Sequence, residues 1–292
     1  MDWLLRLLAR HEDRFAARLG RLWPGGVAKL FRGWLGRPRT VALAAGPMIE
    51  VNPLDFVGSR IWAFQTWEPN ITRWLERTLV TGDVFIDVGA NIGYYTLVAA
   101  ALVGAVGKVW SVEASPTIHA QLKRNVALND FRQVETFNVA AADVRGVLPI
   151  YLGPPENRGE TNLFGLHGFA EEARVEAYPL DELFAAMDVS KVRVVKIDVE
   201  GAEDMVLKGM TGLLGRLPVG AHLLVEIWPE ALAKRGMTPD EVIAGFKAQG
   251  YSAARIDNDY SGYGYRRTAY EPPTPLTARL ETYADIIFTK TG

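Results

Sequence analysis

Residues 83–96 read DVFIDVGANIGYYT. An apolar run leads to Asp87, a turn follows with Gly89 and Gly93, and an aromatic and aliphatic stretch resumes. A glycine turn between a buried strand and a helix lets the backbone approach a nucleotide-like ligand closely. A dinucleotide site would place G-x-G-x-x-G directly after its first strand. Here the turn is Gly89-Ala-Asn-Ile-Gly93, preceded by the acid Asp87. A pyrophosphate is repelled by a carboxylate at that place, whereas an amino group or a sulfonium is attracted. The turn points away from a nicotinamide dinucleotide.

Outward from this stretch, the chain alternates strand and helix patterns. Strands are expected at 83–88, 108–113, 134–139, 192–198 and 222–228, and helices at 92–104, 116–128, 180–188, 203–214 and 238–249. Runs such as VRVVKIDV and HLLVEIW are nearly continuously apolar, as strands covered on both faces require. The pattern predicts an α/β fold with an open, doubly wound, parallel sheet. The tail YADIIFTK (283–290) reads as one more strand at the C-terminal end of that sheet. Two irregular insertions, 153–169 and 257–277, interrupt the alternation, and long loops in such domains tend to be functional.

The second strand ends at Glu113, where a carboxylate is placed to bond both hydroxyls of a ribose. The third ends in NVAAADVRG, where Asp143 can receive an adenine amino group. With Asp87 at an amino-acid end, these features describe a nucleoside site with the shape of S-adenosylmethionine. Each feature alone is weak, and a strand-terminal glutamate is often only a solvated edge residue. Their order on successive strands is what carries the reading.

At GDVFIDVGANIGYYTLVAA (82–100), VEASP (112–116), QLKRNVALN (121–129), YPLDEL (178–183), VKIDVEGAEDMVLKGM (195–210) and LLVEIWPE (223–230), the sequence resembles the FkbM family of S-adenosylmethionine-dependent methyltransferases. WEPN (67–70) matches the family's usual lead-in, and the resemblance covers roughly residues 45–290. It implies a class I Rossmann-like methyltransferase fold, mostly parallel with a final antiparallel strand, and O-methylation of a hydroxyl in a glycan, a glycolipid or a secondary metabolite. By matching position, Asp87, Gly89, Asn91 and Gly93 line the methionine end of the cofactor and Glu113 the ribose, with Glu68, Ala90, Ala114 and Asp143 completing the expected cofactor set. Where many members carry a histidine two positions after Glu226, this chain has Trp228.

Methyl transfer to a hydroxyl needs an aligned acceptor and a group that removes its proton. Asp198 and Glu200 of KIDVEG end the fourth expected strand and Glu226 the next, so the three converge on the acceptor side. Asp198 is the first choice for the base and Glu200 the second, although an acid there also suits the N-terminus of the following helix. Asp198, Glu200 and Glu226 are compatible with a hard divalent cation, but no metal is expected. His167 in GLHGF is a further catalytic candidate. Asn157, Arg158 and Asn162 of the first insertion, and Tyr260, Tyr263 and Tyr265 of the second, are candidate lid residues. N-methylation of a small molecule and a non-catalytic cofactor-binding relative are the alternatives.

The 292 residues divide into a basic leader (1–40), lead-in strands and helix packed on the core (41–82) and the cofactor-binding domain (83–292). The absence of cysteine removes disulfides, thiolate zinc sites and cysteine nucleophiles from consideration. Residues 1–39 carry nine Lys/Arg against three acids, a net of +6, which leaves −8 on the remainder and disfavours nucleic acid as a partner. Residues 2–22 have the spacing of an amphipathic helix, suited to an anionic membrane surface through residues 1–35, to a sister subunit in a homo-oligomer, or to the enzyme body. The expected location is the cytoplasm, with the inner membrane face as an option.

Overall fold

The computed structural model describes residues 36–266 and 269–292. The amphipathic segment 2–22 lies outside them. A hairpin of β1 (Arg39–Ala42) and β2 (Met48–Val51) leads through α1 (Phe56–Phe64) and α2 (Pro69–Thr78) into the alternating part. That part runs β3 (Val84–Val88), α3 (Tyr94–Val103), β4 (Lys108–Val112), α4 (Pro116–Ala127) and β5 (Val134–Phe137). The chain then forms a small sheet of β6 (Ala140–Ala141), β7 (Gly146–Tyr151) and β8 (Glu171–Tyr178), in the order β6-β8-β7. It returns through α5 (Leu180–Leu183), β9 (Val192–Ile197), α6 (Glu203–Lys208), α7 (Thr211–Arg216) and β10 (His222–Ile227). It finishes with α8 (Pro229–Ala233), α9 (Pro239–Ala248), β11 (Tyr251–Ile256), β12 (Thr274–Pro275) and β13 (Ala284–Lys290).

The main sheet has the order β12-β11-β13-β10-β9-β3-β4-β5. Strands β5, β4, β3, β9 and β10 are mutually parallel, and β13 is antiparallel to both β10 and β11. This is the strand order of the class I methyltransferase fold. Each central strand alternates its side chains between two buried layers, as a doubly covered sheet demands. Ile86, Val195, Leu223 and Phe288 share one buried layer with Phe246 of α9, whose ring stacks on Phe288 at 4.3 Å. Phe85, Val194, Leu224 and Ile287 face the other layer, where Leu97 and Val98 of α3 meet Val41, Ile49 and Trp62 of the lead-in. Local signals start the helices: Ser115 Oγ accepts from Ile118 N ahead of Pro116, and Thr238 with Glu241 forms a reciprocal cap ahead of Pro239.

Several elements differ from the sequence reading. The tail strand lies inside the sheet, between β10 and β11, rather than at its end. The expected helix 203–214 is two helices, because the chain at Gly209 passes so close to the carbonyl of Ala142 that a Cβ there would lie 1.9 Å from its oxygen. The helix expected over 180–188 is a single turn. Strands β7 and β8, flanking the first insertion, carry mixed polar and exposed positions that hid them.

The chain leaves β3 toward β4 and β5 on one side, then crosses back to β9 and β10 on the other. Strand order therefore reverses between β3 and β9, and ligands of such sheets bind outside the carboxyl ends at that reversal. Gly89 fixes this junction. Its φ is +81°, and a Cβ on it would lie 1.7 Å from the carbonyl oxygen of Asp198, so only glycine lets the ends of β3 and β9 close together.

Candidate functional site

A cavity of about 440 Å3 opens at the carboxyl ends of β3, β4, β9 and β10. One end is built on Glu113. Its Oε2 accepts from Asn91 N at 2.8 Å and its Oε1 from Ser115 N at 2.9 Å, which fixes the carboxylate and leaves a second lone pair on each oxygen. Asn138 Nδ2 donates to the carbonyls of Glu113 and Ala114, pinning the strand end behind it. Burial, only partly offset by those two backbone bonds, raises the Glu113 carboxyl to about 7. Beside it Ala114, Ile118, Val139, Ala140, Ile150 and Leu163 form an apolar slot. A fixed carboxylate next to an apolar slot suits a ribose and its purine.

The other end holds a buried lysine among carboxylates. Lys196 is 6% exposed at its side chain, and its Nζ lies 2.6 Å from Asp198 Oδ2. Burial disfavours its charge, but Asp198, Asp87 and Glu68 together outweigh that and hold its pKa above the usual value. For Asp198 burial is likewise outweighed, by Lys196 and by a hydrogen bond from Glu226, so its carboxyl sits below the ordinary range. Glu226 is pushed well above that range by burial and by the charges of Asp198 and Glu200. The two carboxylates are thus driven apart, Asp198 toward its ionised form and Glu226 toward its protonated one. One oxygen from each of Asp198, Glu200 and Glu226 lies within 4.8 Å of the others. Lys196 brings one positive charge to this group.

Glu200 stands apart. Its backbone is left-handed, with φ +49°, a conformation that costs a non-glycine residue energy and is retained mostly at functional sites. Burial and the charges of Asp198, Glu203 and Glu160 push its carboxyl well above the usual range. Below it, Glu203 Oε1 accepts from Gly201 N at 2.9 Å and steadies the turn that presents Glu200.

Glu68, also left-handed, accepts hydrogen bonds from the hydroxyls of Tyr95 and Tyr260. Tyr260 reaches Tyr283 at 2.9 Å, so the second insertion is tied to the start of β13 at the cavity wall. Trp67 packs edge-on to Phe56 at 5.7 Å and against Tyr260 at 5.6 Å. The first insertion closes the remaining side. Asp55 caps α1 by accepting from Gly58 N through Oδ2, and its Oδ1 accepts from Arg158 N at 2.8 Å. One buried carboxylate thus joins the lead-in to the lid, and Phe56 N donating to Glu156 O at 2.8 Å adds a second tie.

The cavity brings together most of the residues selected from sequence: Glu68, Gly89, Ala90, Asn91, Glu113, Ala114, Asp198, Glu200 and Glu226 line it. Four do not. Asp87 lies buried in β3, with Oδ2 accepting from Thr96 Oγ1 at 2.7 Å and Oδ1 without a partner. Gly93 starts α3 and faces α4, where a Cβ would lie 2.5 Å from Leu122 Cδ1. Asp143 is carried past the slot because β5 stops at Phe137 and the chain turns to pair β6 with β8. His167 is exposed and stacks on Trp228 at 6.2 Å, outside the cavity lining. Lys196 was missed. The signal was present, since a lysine in an otherwise apolar, doubly covered strand must have buried partners.

The fold and cavity define a Rossmann-like domain with an apolar slot beside Glu113 joined to an acidic pocket. The chain belongs to the FkbM methyltransferase family: the model described as Methyltransferase FkbM domain matches residues 87–253. It is 30% identical over 156 residues to the hexuronic acid methyltransferase AglP of Haloferax volcanii, a match covering 50% of this chain and 58% of that protein. The chain thus spans less than two thirds of that relative. Among solved structures, it is similar to Aeropyrum pernix fibrillarin with natively bound S-adenosyl-L-methionine, at 12% identity and TM-score 0.44, covering 87% of this chain and 84% of that one. It is also similar to an S-adenosylmethionine-dependent O-methyltransferase of Thermotoga maritima, at 15% identity and TM-score 0.42, covering 87% and 78%.

The Asp55 junction yields a direct test. Asp55→Ala removes a helix cap and the lid tether together, and is expected to cost about 1–2 kcal/mol of stability. Limited proteolysis should then cut first within residues 153–169, at a rate above that of the wild type; an unchanged cleavage pattern would show that the lid is held by other contacts.

Proposed function

We propose that the chain is an S-adenosylmethionine-dependent O-methyltransferase whose acceptor is a sugar hydroxyl, in a glycan or a glycolipid. The observation that carries this is the continuity of one cavity, from Glu113 and its apolar slot to the half-buried Glu200. Membership of the FkbM family supports the reaction class, and the hexuronic acid methyltransferase relative supports a sugar acceptor. The residues present fit the cofactor: Glu113 offers two fixed acceptors for ribose hydroxyls, and the pocket beyond it is rich in acids that favour a cation.

When bound, S-adenosylmethionine supplies a methyl group on a sulfonium, which departs as a neutral thioether. Glu200 acts as the general base in this reading. No hydrogen bond within the described residues occupies its carboxylate, and it ionises more readily once a cation shares the cavity. With the cofactor bound, it would take the proton of the acceptor hydroxyl during the transfer and would keep it more firmly once the positive charge is gone. Asp198 is the poorer base, since Lys196 holds it ionised and the Glu226 proton is already directed at it. This reverses the order expected from sequence. Asp198 and Glu226 position the acceptor, and the lid excludes water from the transfer.

Glu200→Gln is expected to lower kcat by about 100-fold or more, while affinity for S-adenosylhomocysteine stays near the wild-type value. The wild-type rate should rise with pH through a value above the ordinary carboxylate range, and this limb should vanish in the variant. Methyl label from S-adenosylmethionine should appear in sugar-containing acceptors; label found only in amines or protein would contradict the proposal.

Cofactor affinity should depend on pH for a separate reason. Ribose binding uses ionised Glu113, whose carboxyl holds its proton up to about 7. Calorimetry with S-adenosylhomocysteine should therefore show affinity weakening as pH falls below 7, by up to about tenfold per unit. Glu113→Gln should bind more weakly overall and flatten this dependence. A steep profile retained in the variant would assign it to another group.

A further inference from the structure

Five carboxylates line the cavity, from Glu68, Glu113, Asp198, Glu200 and Glu226, against two cations among the described residues, Lys196 and Arg158. Lys196 is consumed by Asp198 and by its neighbours Asp87 and Glu68. A ligand that carries a carboxylate into this cavity finds in Arg158 the lining cation that Asp198, Asp87 and Glu68 do not already surround.

Arg158 is built to be there. Its backbone N donates to the buried Asp55, and its Nη1 donates to the carbonyl of Gly153 at 2.5 Å. These two ties hold the base of the side chain and one edge of the guanidinium. Among the described residues no ion pair occupies the rest of the fork. The following residue, Gly159, lies over the turn after β3: a Cβ on it would be 3.9 Å from Asn91 Nδ2 and 3.8 Å from Val57 Cγ2. Arg158 is thus carried by the part of the first insertion that lies over the turn after β3 and lines the cavity there, with Asp55 as a neighbouring acid. A preorganised guanidinium with free parallel N–H groups is the side chain best matched to a carboxylate.

We propose that Arg158 is the carboxylate clamp of this cavity, an assignment that rests on the methyltransferase reading above. Two ligands carry that chemistry: the amino-acid end of S-adenosylmethionine, and a uronic acid acceptor. In either case Arg158 separates charges, drawing the carboxylate toward the lid while the carboxylates of β9 and β10 receive the cationic or hydroxyl side.

The test compares the wild type with Arg158→Gln, using S-adenosylhomocysteine, 5′-methylthioadenosine (the same nucleoside thioether without the amino acid), and glucuronate and glucose as acceptors. If the cofactor carboxylate is clamped, the variant binds S-adenosylhomocysteine about 10- to 100-fold more weakly and 5′-methylthioadenosine unchanged. If the acceptor carboxylate is clamped, both nucleosides bind unchanged, and KM rises by a similar factor for glucuronate but not for glucose. Arg158→Lys, which keeps the charge without the fork, should recover part of either loss. Equal weakening of both nucleosides, or no change in any affinity or KM, would overturn the assignment alone. Failure of the wild type to bind either nucleoside would overturn the cofactor reading and the clamp with it.

Discussion

The contact between Lys196 and Asp198 organises the whole carboxyl end of the sheet. Asp87, Asp198, Glu226 and Asp285 stand on four neighbouring strands, with Glu68 above them at the start of α2. A group of carboxylates packed so closely repels itself, and one buried ammonium cannot neutralise all of it. The outcome is a division of states. Asp198 is drawn toward its ionised form, Glu226 toward its protonated one, and burial raises Asp87 and Asp285. The tyrosine hydroxyls of Tyr95 and Tyr260 satisfy Glu68. Glu200, presented on a left-handed turn, lies within 4.8 Å of Asp198 and Glu226, yet its carboxylate accepts no hydrogen bond among the described residues.

The same logic of pairing explains how distant segments make one wall. The lead-in helix α1, the 153–169 lid and the 257–277 insertion share no sequence neighbourhood, yet each enters the cavity through a buried polar anchor. Asp55 ties α1 to Arg158, Glu68 ties α2 to Tyr260, and Asn70 Nδ2 ties the same helix to the carbonyls of Asp257 and Glu271 at 2.9 Å. Aromatic packing of Trp67 with Phe56 and Tyr260 fills the space between. Polar groups buried this way need their partners, so each anchor specifies one arrangement of its loop.

Much of the frame was legible because doubly covered strands advertise themselves. VRVVKIDV and HLLVEIW have no solvent face, so their apolar runs admit few other readings. Strand-terminal acids followed from the same logic, and Glu113, Asp198, Glu200 and Glu226 do meet in one cavity. What local pattern does not contain is neighbourhood. YADIIFTK announces a strand but not its place between β10 and β11, which long-range pairing decides. Strands β7 and β8 were hidden by their polar, half-exposed positions. Asp143 and His167 were plausible by residue type, but the chain leaves β5 at Phe137 before Asp143, and His167 is exposed against Trp228. The order of preference between Asp198 and Glu200 also depended on a lysine whose partners only the folded chain reveals.

The unequal states of Asp198 and Glu200 decide which of them can act as the base. Carbon-13 spectra of protein labelled at its aspartate and glutamate carboxyls, titrated with pH and assigned with Asp198→Asn and Glu200→Gln, would measure both in one experiment. The account predicts that the Asp198 signal titrates below the ordinary carboxylate range and the Glu200 signal well above it. Asp198 titrating above Glu200 would contradict it, returning the base to Asp198 and leaving Lys196 without its assigned role.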